Sequence, residues 1–484
     1  MESTASKGGA VSDGGAGPTI WVLVFAGTVT TLMSTLVVPL LGELPTILGT
    51  GPSNASWVVT VTLLSGAIAT PVTGRLGDMY GSRRILLLCT IPLIMGSFVC
   101  AMSSTLGPML VGRALQGAGF GVVPLGISAL RAAVPPERLG SSIAMMSASL
   151  GIGGALGLPL AGIIIQTMSW RMMFWGVGIL SILVAVLIVW IVPDTPVYGT
   201  RGHFDVFGAV GVSMALVCLL LPVSKGGDWG WASPITIGLF ASAVVMFVVW
   251  GWWELRTRHP LIDLRISVGR PVLVTNAVTT LIGFSMYFQA LLVPQIRQLP
   301  ETTGYGLGQS MIMMGLWSAP AGLVMMAVAP LGARLTTARG PRSTLLAGCL
   351  MMAVAYGSSV FAMSNTWGLL LITCGVAAGI GFAYGAIPTL IMGAVPQSEI
   401  SSANSVNTLL RSVGGTASAA VAGVVLAQMS VAFAGKIIPS EQGFLTGLMI
   451  GAVTASVAAA VTLAIRFPAS DDTNSDDVMT TARP

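Results

Sequence analysis

The chain has 484 residues, of which 54% are hydrophobic and only 8% charged, with a net charge of +5 and a mean hydropathy of +0.87. Soluble domains carry about 25% charged residues, so water is excluded as the main solvent and the bilayer takes its place. Nucleic acid is excluded as a partner of the basic excess, because the arginines are distributed among the turns between apolar runs.

Apolar runs of roughly 20 residues, enough to cross about 30 Å of hydrocarbon at about 1.5 Å per residue, recur fourteen times. They lie near 20–41, 57–76, 84–103, 107–130, 141–166, 171–192, 205–222, 234–253, 271–293, 307–330, 343–363, 367–391, 402–428 and 443–466, numbered spans 1 to 14 below. The prediction is an all-α polytopic membrane protein organised as six plus two plus six. Residues 20–192 form a first bundle, 193–270 a two-helix insertion with cytoplasmic linkers, and 271–466 a second bundle. Residues 1–19, rich in Gly and Ser and without the features of a signal peptide, read as a cytoplasmic tail. Residues 467–484, with Asp471, Asp472, Asp476 and Asp477, read as a disordered acidic one.

Assigning alternate loops to one side collects sixteen of the 22 basic residues there. Arg171, Lys225, Arg297 and Lys436 fall on the other side, and Arg113 and Arg411 within helices. The positive-inside rule then puts both termini in the cytoplasm of a multi-pass plasma-membrane protein. The five cysteines all fall inside spans without metal-ligand spacing, so no metal or cofactor is expected. Asn54-Ala55-Ser56 matches a glycosylation sequon, a short and frequent pattern.

The stretch Gly74–Arg84 between spans 2 and 3 holds four charges and three glycines in a chain poor in charge. Gly74 and Gly77 allow close approach of a neighbouring helix, Gly81 permits a turn, and Arg83 and Arg84 suit anionic headgroups. Asp78 asks for a partner. A weaker copy, Gly332–Arg342, stands between spans 10 and 11 with Thr336 in place of Asp78. Further echoes relate the halves: Gly117-Ala118-Gly119-Phe120 and Gly379-Ile380-Gly381-Phe382, Ser141-Ser142 and Ser401-Ser402, Gly153-Gly154 and Gly414-Gly415.

Three polar faces follow helical spacing. They are Arg113, Gln116, Gly117, Phe120 and Pro124 on span 4, Asn276, Thr279, Thr280, Gly283 and Tyr287 on span 9, and Asn404, Asn407, Thr408, Arg411 and Gly415 on span 13. An intramembrane arginine costs at least about 2.5–3.5 kcal/mol on insertion scales. Arg113 and Arg411, with Gln116, Asn276, Tyr287 and Asn407, are therefore candidates for substrate binding or coupling, while such faces also serve as helix–helix glue.

Together these residues resemble the major facilitator superfamily, and within it the fourteen-span drug:H+ antiporter family. Gly74–Arg84 is similar to its loop signature between helices two and three, and Arg113, Gln116 and Gly117 to its Arg-x-x-Gln-Gly signature. Gly153, Gly157, Pro159 and Gly162 are similar to its antiporter signature on helix five, with the proline one residue late. The resemblance implies two six-helix bundles around a central cavity, alternating access, a small-molecule substrate, a proton gradient as partner and a monomeric unit in the lipid bilayer. It also implies a latch formed by Gly74, Asp78, Gly81, Arg83 and Arg84 across the bundle interface, where the unpaired amides near Ser401 and Ser402 at the start of span 13 would meet Asp78, and export of hydrophobic compounds. Met33, Phe120, Phe284, Phe288, Trp317 and Tyr384 are the expected cavity lining.

One departure stands out. Such exporters carry an acid midway in helix one, where this chain has Met33, and all seventeen acids fall at helix ends, in loops or in tails. Either end-located acids such as Asp78 or Glu43 carry protons, or the two arginines favour an anionic or neutral polar substrate. An ATP-driven pump is excluded by the lack of a P-loop, and a membrane enzyme is disfavoured because His-Glu-x-x-His and Gly-x-Ser-x-Gly are absent and His203 and His259 lie outside the spans.

Overall fold

The structure is a computed structural model describing residues 13–194, 204–258, 260–267, 269–433 and 436–465. The C-terminal tail, most of the N-terminal one, His203 and His259 lie outside the described residues.

Fourteen helices among the described residues are long and apolar enough to cross a membrane. In order they are Ala16–Leu36, Trp57–Tyr80, Ser82–Met102, Leu106–Ala133, Pro136–Thr167, Arg171–Ile191, Val206–Gly227, Pro234–Arg256, Arg270–Gln298, Ile312–Arg339, Pro341–Ala362, Thr366–Met392, Gln397–Leu426 and Glu441–Thr462. Each coincides with a predicted span, and the differences are at the ends. The first helix starts at Asp13, inside the segment expected to be tail. Span 2 runs on to Tyr80, so Gly74, Gly77 and Asp78 are helical and only Gly81, at φ +92°, makes the turn. Span 10 likewise runs to Arg339 and stops at Gly340, at φ +82°, so both halves break on a glycine in a conformation that side chains disfavour. Lys225 and Arg297, placed in loops by the sequence, are helical and buried. A short antiparallel hairpin, Ser430–Phe433 with Lys436–Pro439, joins spans 13 and 14 and was not anticipated.

The packing is a repeat. Span 1 packs on spans 5 and 6, span 3 on 4 and 6, and span 2 on 4; correspondingly span 9 packs on 13 and 14, span 11 on 12 and 14, and span 10 on 12. Lipid gives apolar helices little reason to associate, so close backbone approach over small residues has to supply the contact. It does so here: a methyl group on Gly348 would lie 2.6 Å from the Gly379 carbonyl, between spans 11 and 12. Two seams join the bundles, span 2 against 13 and span 5 against 10, and they too exchange under the repeat.

Spans 7 and 8 pack on each other, and span 7 lies against spans 2 and 13. Leu216, Leu220, Leu261 and Ile262 bury there against Ala67 and Leu409. The insertion therefore covers one seam and leaves the other bare.

Candidate functional site

The covered seam is built from two helix ends. Ile400 opens the helix of span 13, whose first-turn amides have no intrahelical partner. Asp78, in the last turn of span 2 and buried, takes two of them: its Oδ1 accepts from the Ser401 amide at 2.9 Å and its Oδ2 from the Ser402 amide at 2.7 Å. Charge-assisted bonds of this kind are about twice as strong as neutral ones, and the helix dipole adds to them. Gly74 and Gly77 make room, because a methyl group on Gly74 would lie 2.6 Å from the Ser405 Cβ and 2.9 Å from the Ser401 carbonyl.

Other groups brace this contact. Arg75 donates to Glu399 at 2.8 Å, the Ser401 hydroxyl donates to the Ser128 hydroxyl at 2.5 Å, and the Ser402 hydroxyl donates to the Leu261 carbonyl at 3.4 Å. The last bond ties the insertion to the same two serines. Arg83 pairs with Asp194 and donates to the Val189 carbonyl at 2.7 Å, inside the first bundle, whereas Arg84 is exposed. Glu399 and Ser128 were not singled out from sequence; nothing in one chain marks two residues this far apart as partners.

At the copied stretch, Thr336 shares a hydrogen bond of 2.9 Å with Thr344 of its own bundle. The bare seam instead closes by backbone proximity. A methyl group on Gly315 would lie 2.8 Å from the Pro159 nitrogen, one on Gly322 2.8 Å from the Gly151 carbonyl, and one on Gly162 3.3 Å from Ile312. Gly153 and Gly157 face span 1, against the Thr28 carbonyl and Thr35. Span 5 continues unbroken through Pro159.

The expected face of span 4 is interrupted, because the helix stops at Ala118 and restarts at Val122. Three glycines in five residues cause the break, and span 12, where Ala383 replaces the last of them, stays helical throughout. Arg113, before the break, points into the first bundle. Its Nε donates to the Val58 carbonyl at 3.1 Å, and its Nη1 donates to the Met33 carbonyl at 3.3 Å and to Gln116 at 2.7 Å. Gln116 in turn donates to Ser97 at 2.8 Å. Arg113 thus clips spans 1, 2 and 4 together.

The faces of spans 9 and 13 meet each other. Asn407 donates to Asn276 at 2.9 Å and to Thr279 at 2.8 Å, Tyr287 lies against Gly415, and Gly283 against the Arg411 backbone. Beside them a pocket of about 20 Å³ opens between the bundles. Val123, Ile127, Ser147 and Leu150 line it from one side, and Tyr384, Ile387, Asn404, Asn407, Thr408 and Arg411 from the other. The volume holds little more than a water molecule, so the expected central cavity is shut in this state.

Of the expected lining residues, Tyr384 is in place. Met33 instead borders a small gap with Met173 and Phe174 of span 6. Phe120 packs on Gly66 of span 2, Phe284 and Phe288 stack at 5.3 Å with Phe288 wholly buried toward Gly447 of span 14, and Trp317 pairs at 5.0 Å with the exposed Trp367. The three phenylalanines pack within their own bundles, and Trp317 pairs with Trp367 at the surface.

The sequence profile of the Major Facilitator Superfamily matches residues 23–419. The chain belongs to that superfamily. It is a multi-pass membrane protein with the fourteen-helix form of the major facilitator fold. An MFS-type transporter of Mycobacterium tuberculosis is 28% identical over 419 residues, 83% of this chain and 58% of that protein, so the chain spans little more than half of that relative's length. A multidrug resistance protein B homolog of the same species is 26% identical over 392 residues, 78% of this chain and 70% of its own. The tetracenomycin C resistance and export protein of Streptomyces glaucescens is 27% identical over 387 residues, 78% of this chain and 69% of its own. Among solved structures, the proton:xylose symporter XylE superposes with a TM-score of 0.64 over 92% of this chain and 95% of that one, at 13% identity. Within this superfamily fold the Asp78 contact and the pocket beside Arg411 both lie where one bundle meets the other.

Proposed function

We propose that the protein is a secondary active exporter of hydrophobic drugs, antibiotics or related metabolites, working by alternating access and driven by the proton gradient, as in the drug:H+ antiporter branch. The observation that carries this reading is the Asp78 carboxylate seated on two amides of the opposite bundle. A contact of this kind holds one end of the interface shut and is released when the bundles rock. Gly74, Gly81, Arg83 and Arg84 complete the latch, and Gly153, Gly157, Pro159 and Gly162 form the close-packed helix on which the other seam turns. The names of the relatives, resistance and export proteins among them, support the direction. In this reading the arginine-rich end faces the cytoplasm with both termini, and the unit is a monomer in the plasma membrane.

The test is accumulation and susceptibility in cells lacking or overproducing the protein, with and without an uncoupler. Export that persists after the gradient collapses contradicts the proposal. A second reading, carriage of an anionic or neutral polar compound in either direction, is favoured by the state of Arg411.

A further inference from the structure

We propose that the pocket between the bundles is an anion-recognition site, in which the Arg411 guanidinium takes the negatively charged group of an amphipathic, ring-bearing substrate. The inference rests on the transporter reading above and names the substrate class of its site.

Three buried or half-buried arginines sit inside the bundles, and they differ in what holds them. Arg113 is occupied by two carbonyls and Gln116. Arg297 lies within the second bundle, where its Nη1 donates to the Met314 carbonyl at 3.2 Å and to the Ser318 hydroxyl at 2.9 Å. Arg411 pairs with no carboxylate and donates no hydrogen bond among the described residues; its guanidinium rests over the Tyr384 ring at 5.1 Å. A guanidinium presents five donors in a planar fork suited to carboxylate, sulfonate or phenolate groups. Left unpaired within a membrane it is costly, and no side chain lining this pocket is acidic. A bound anion supplies the missing charge.

The rest of the lining matches such a ligand. The Ser147 and Thr408 hydroxyls face the pocket without a partner among the described residues. Val123, Ile127, Leu150 and the Tyr384 ring give an apolar wall for a ring system. Ser147 belongs to the first bundle and Arg411 to the second, so the pocket, closed here to little more than the volume of a water molecule, widens to admit a ligand as the bundles part, and a ligand held by Arg411 senses the conformational change. A cationic compound meets an uncompensated positive charge here.

Three dyes on one xanthene frame separate charge from shape: fluorescein is anionic, rhodamine 110 zwitterionic and rhodamine 123 cationic. Equilibrium binding to the full-length protein in nanodiscs, blanked against empty nanodiscs, is expected to favour fluorescein over rhodamine 123 at least tenfold. Arg411→Gln is expected to lose that tenfold preference while rhodamine 123 binding stays level or improves. Arg411→Lys, which keeps the charge, is expected to retain most of it, and a thermal melt of each variant separates charge loss from misfolding. The proposal is overturned if wild type binds none of the dyes, if it prefers rhodamine 123, or if a folded Arg411→Gln variant keeps the preference. Charge-selective binding with no gradient-dependent dye movement in proteoliposomes leaves the anion site standing and overturns the transporter reading instead.

Discussion

Replacing Asp78 with Asn tests the latch at nearly constant shape. In the native contact each carboxylate oxygen accepts one amide, from Ser401 at 2.9 Å and from Ser402 at 2.7 Å. Asn keeps one acceptor and turns an NH2 group toward the other amide, so one bond becomes a donor–donor contact and the charge facing the helix dipole is lost. A hydrogen bond to a charged group contributes about 1.5–3 kcal/mol and the charge–dipole term about 0.3–1 kcal/mol. Taking ~3 kcal/mol in all, the latched state falls about 100-fold relative to the open one, at about 1.4 kcal/mol per factor of ten. Hydrogen exchange read by mass spectrometry over the first turn of span 13 reports this directly, and the Ser401 and Ser402 amides should exchange about 100-fold faster in Asp78→Asn. Transport should be abolished with membrane insertion unchanged. Unaltered exchange together with full transport would refute the latch.

Gly74→Ala places a methyl group 2.6 Å from the Ser405 Cβ; overpacking costs about 1–3 kcal/mol, so transport should fall and the same amides should exchange faster. Gly153→Ala, 2.6 Å from the Thr28 carbonyl, should lower the melting temperature in detergent, while Gly154→Ala, with nothing within 4 Å, should leave it unchanged. Equal shifts for the two would contradict the packing described for span 5. Glu254 is buried beside Asp205: a methyl group on Gly208 would meet its Oε1 at 2.6 Å and the Asp205 Oδ2 at 2.5 Å. Glu254→Gln removes one of two crowded like charges and should raise the melting temperature at pH 8 by an amount on the order of 1 kcal/mol in stability; a lower melting temperature would show that the charge is needed.

The spans were legible because the bilayer leaves one solution for an apolar run of this length, a helix with its backbone satisfied internally. The Asp78 contact was legible through the family resemblance of Gly74–Arg84, which implied docking across the bundle interface, and the unpaired start of span 13 supplied the physical reason. The cavity lining was not. Phe284, Phe288 and Trp317 share composition and spacing with lining residues, and which gap a ring fills depends on how six helices close around it, which no local pattern encodes. The break in span 4 was not anticipated, because helical spacing runs straight through the glycines at 117, 119 and 121 that end the helix, yet Arg113 before it and Phe120 within it both pack on span 2. Glu254 was counted as a loop acid from its position at the end of a span; its burial arises from the insertion folding back over Leu261 and Ile262.

The two seams are related by the repeat and yet are held differently, and this bears on how the transporter is driven. The seam of spans 5 and 10 closes by glycine and proline against backbone, a contact insensitive to charge. The seam of spans 2 and 13 closes on a carboxylate, with the Arg75–Glu399 pair beside it and the insertion laid over it. Of the two seams, only this one closes on charged groups, and the pocket next to it carries a cation rather than the acid that a proton-for-cation exchanger requires. An exported anion moves outward along an inside-negative potential, worth about 2.3 kcal/mol per charge per 100 mV. If Arg411 binds anions as proposed, the electrical part of the proton gradient acts on the substrate itself and adds to its outward drive, and Asp78 times the opening of the seam.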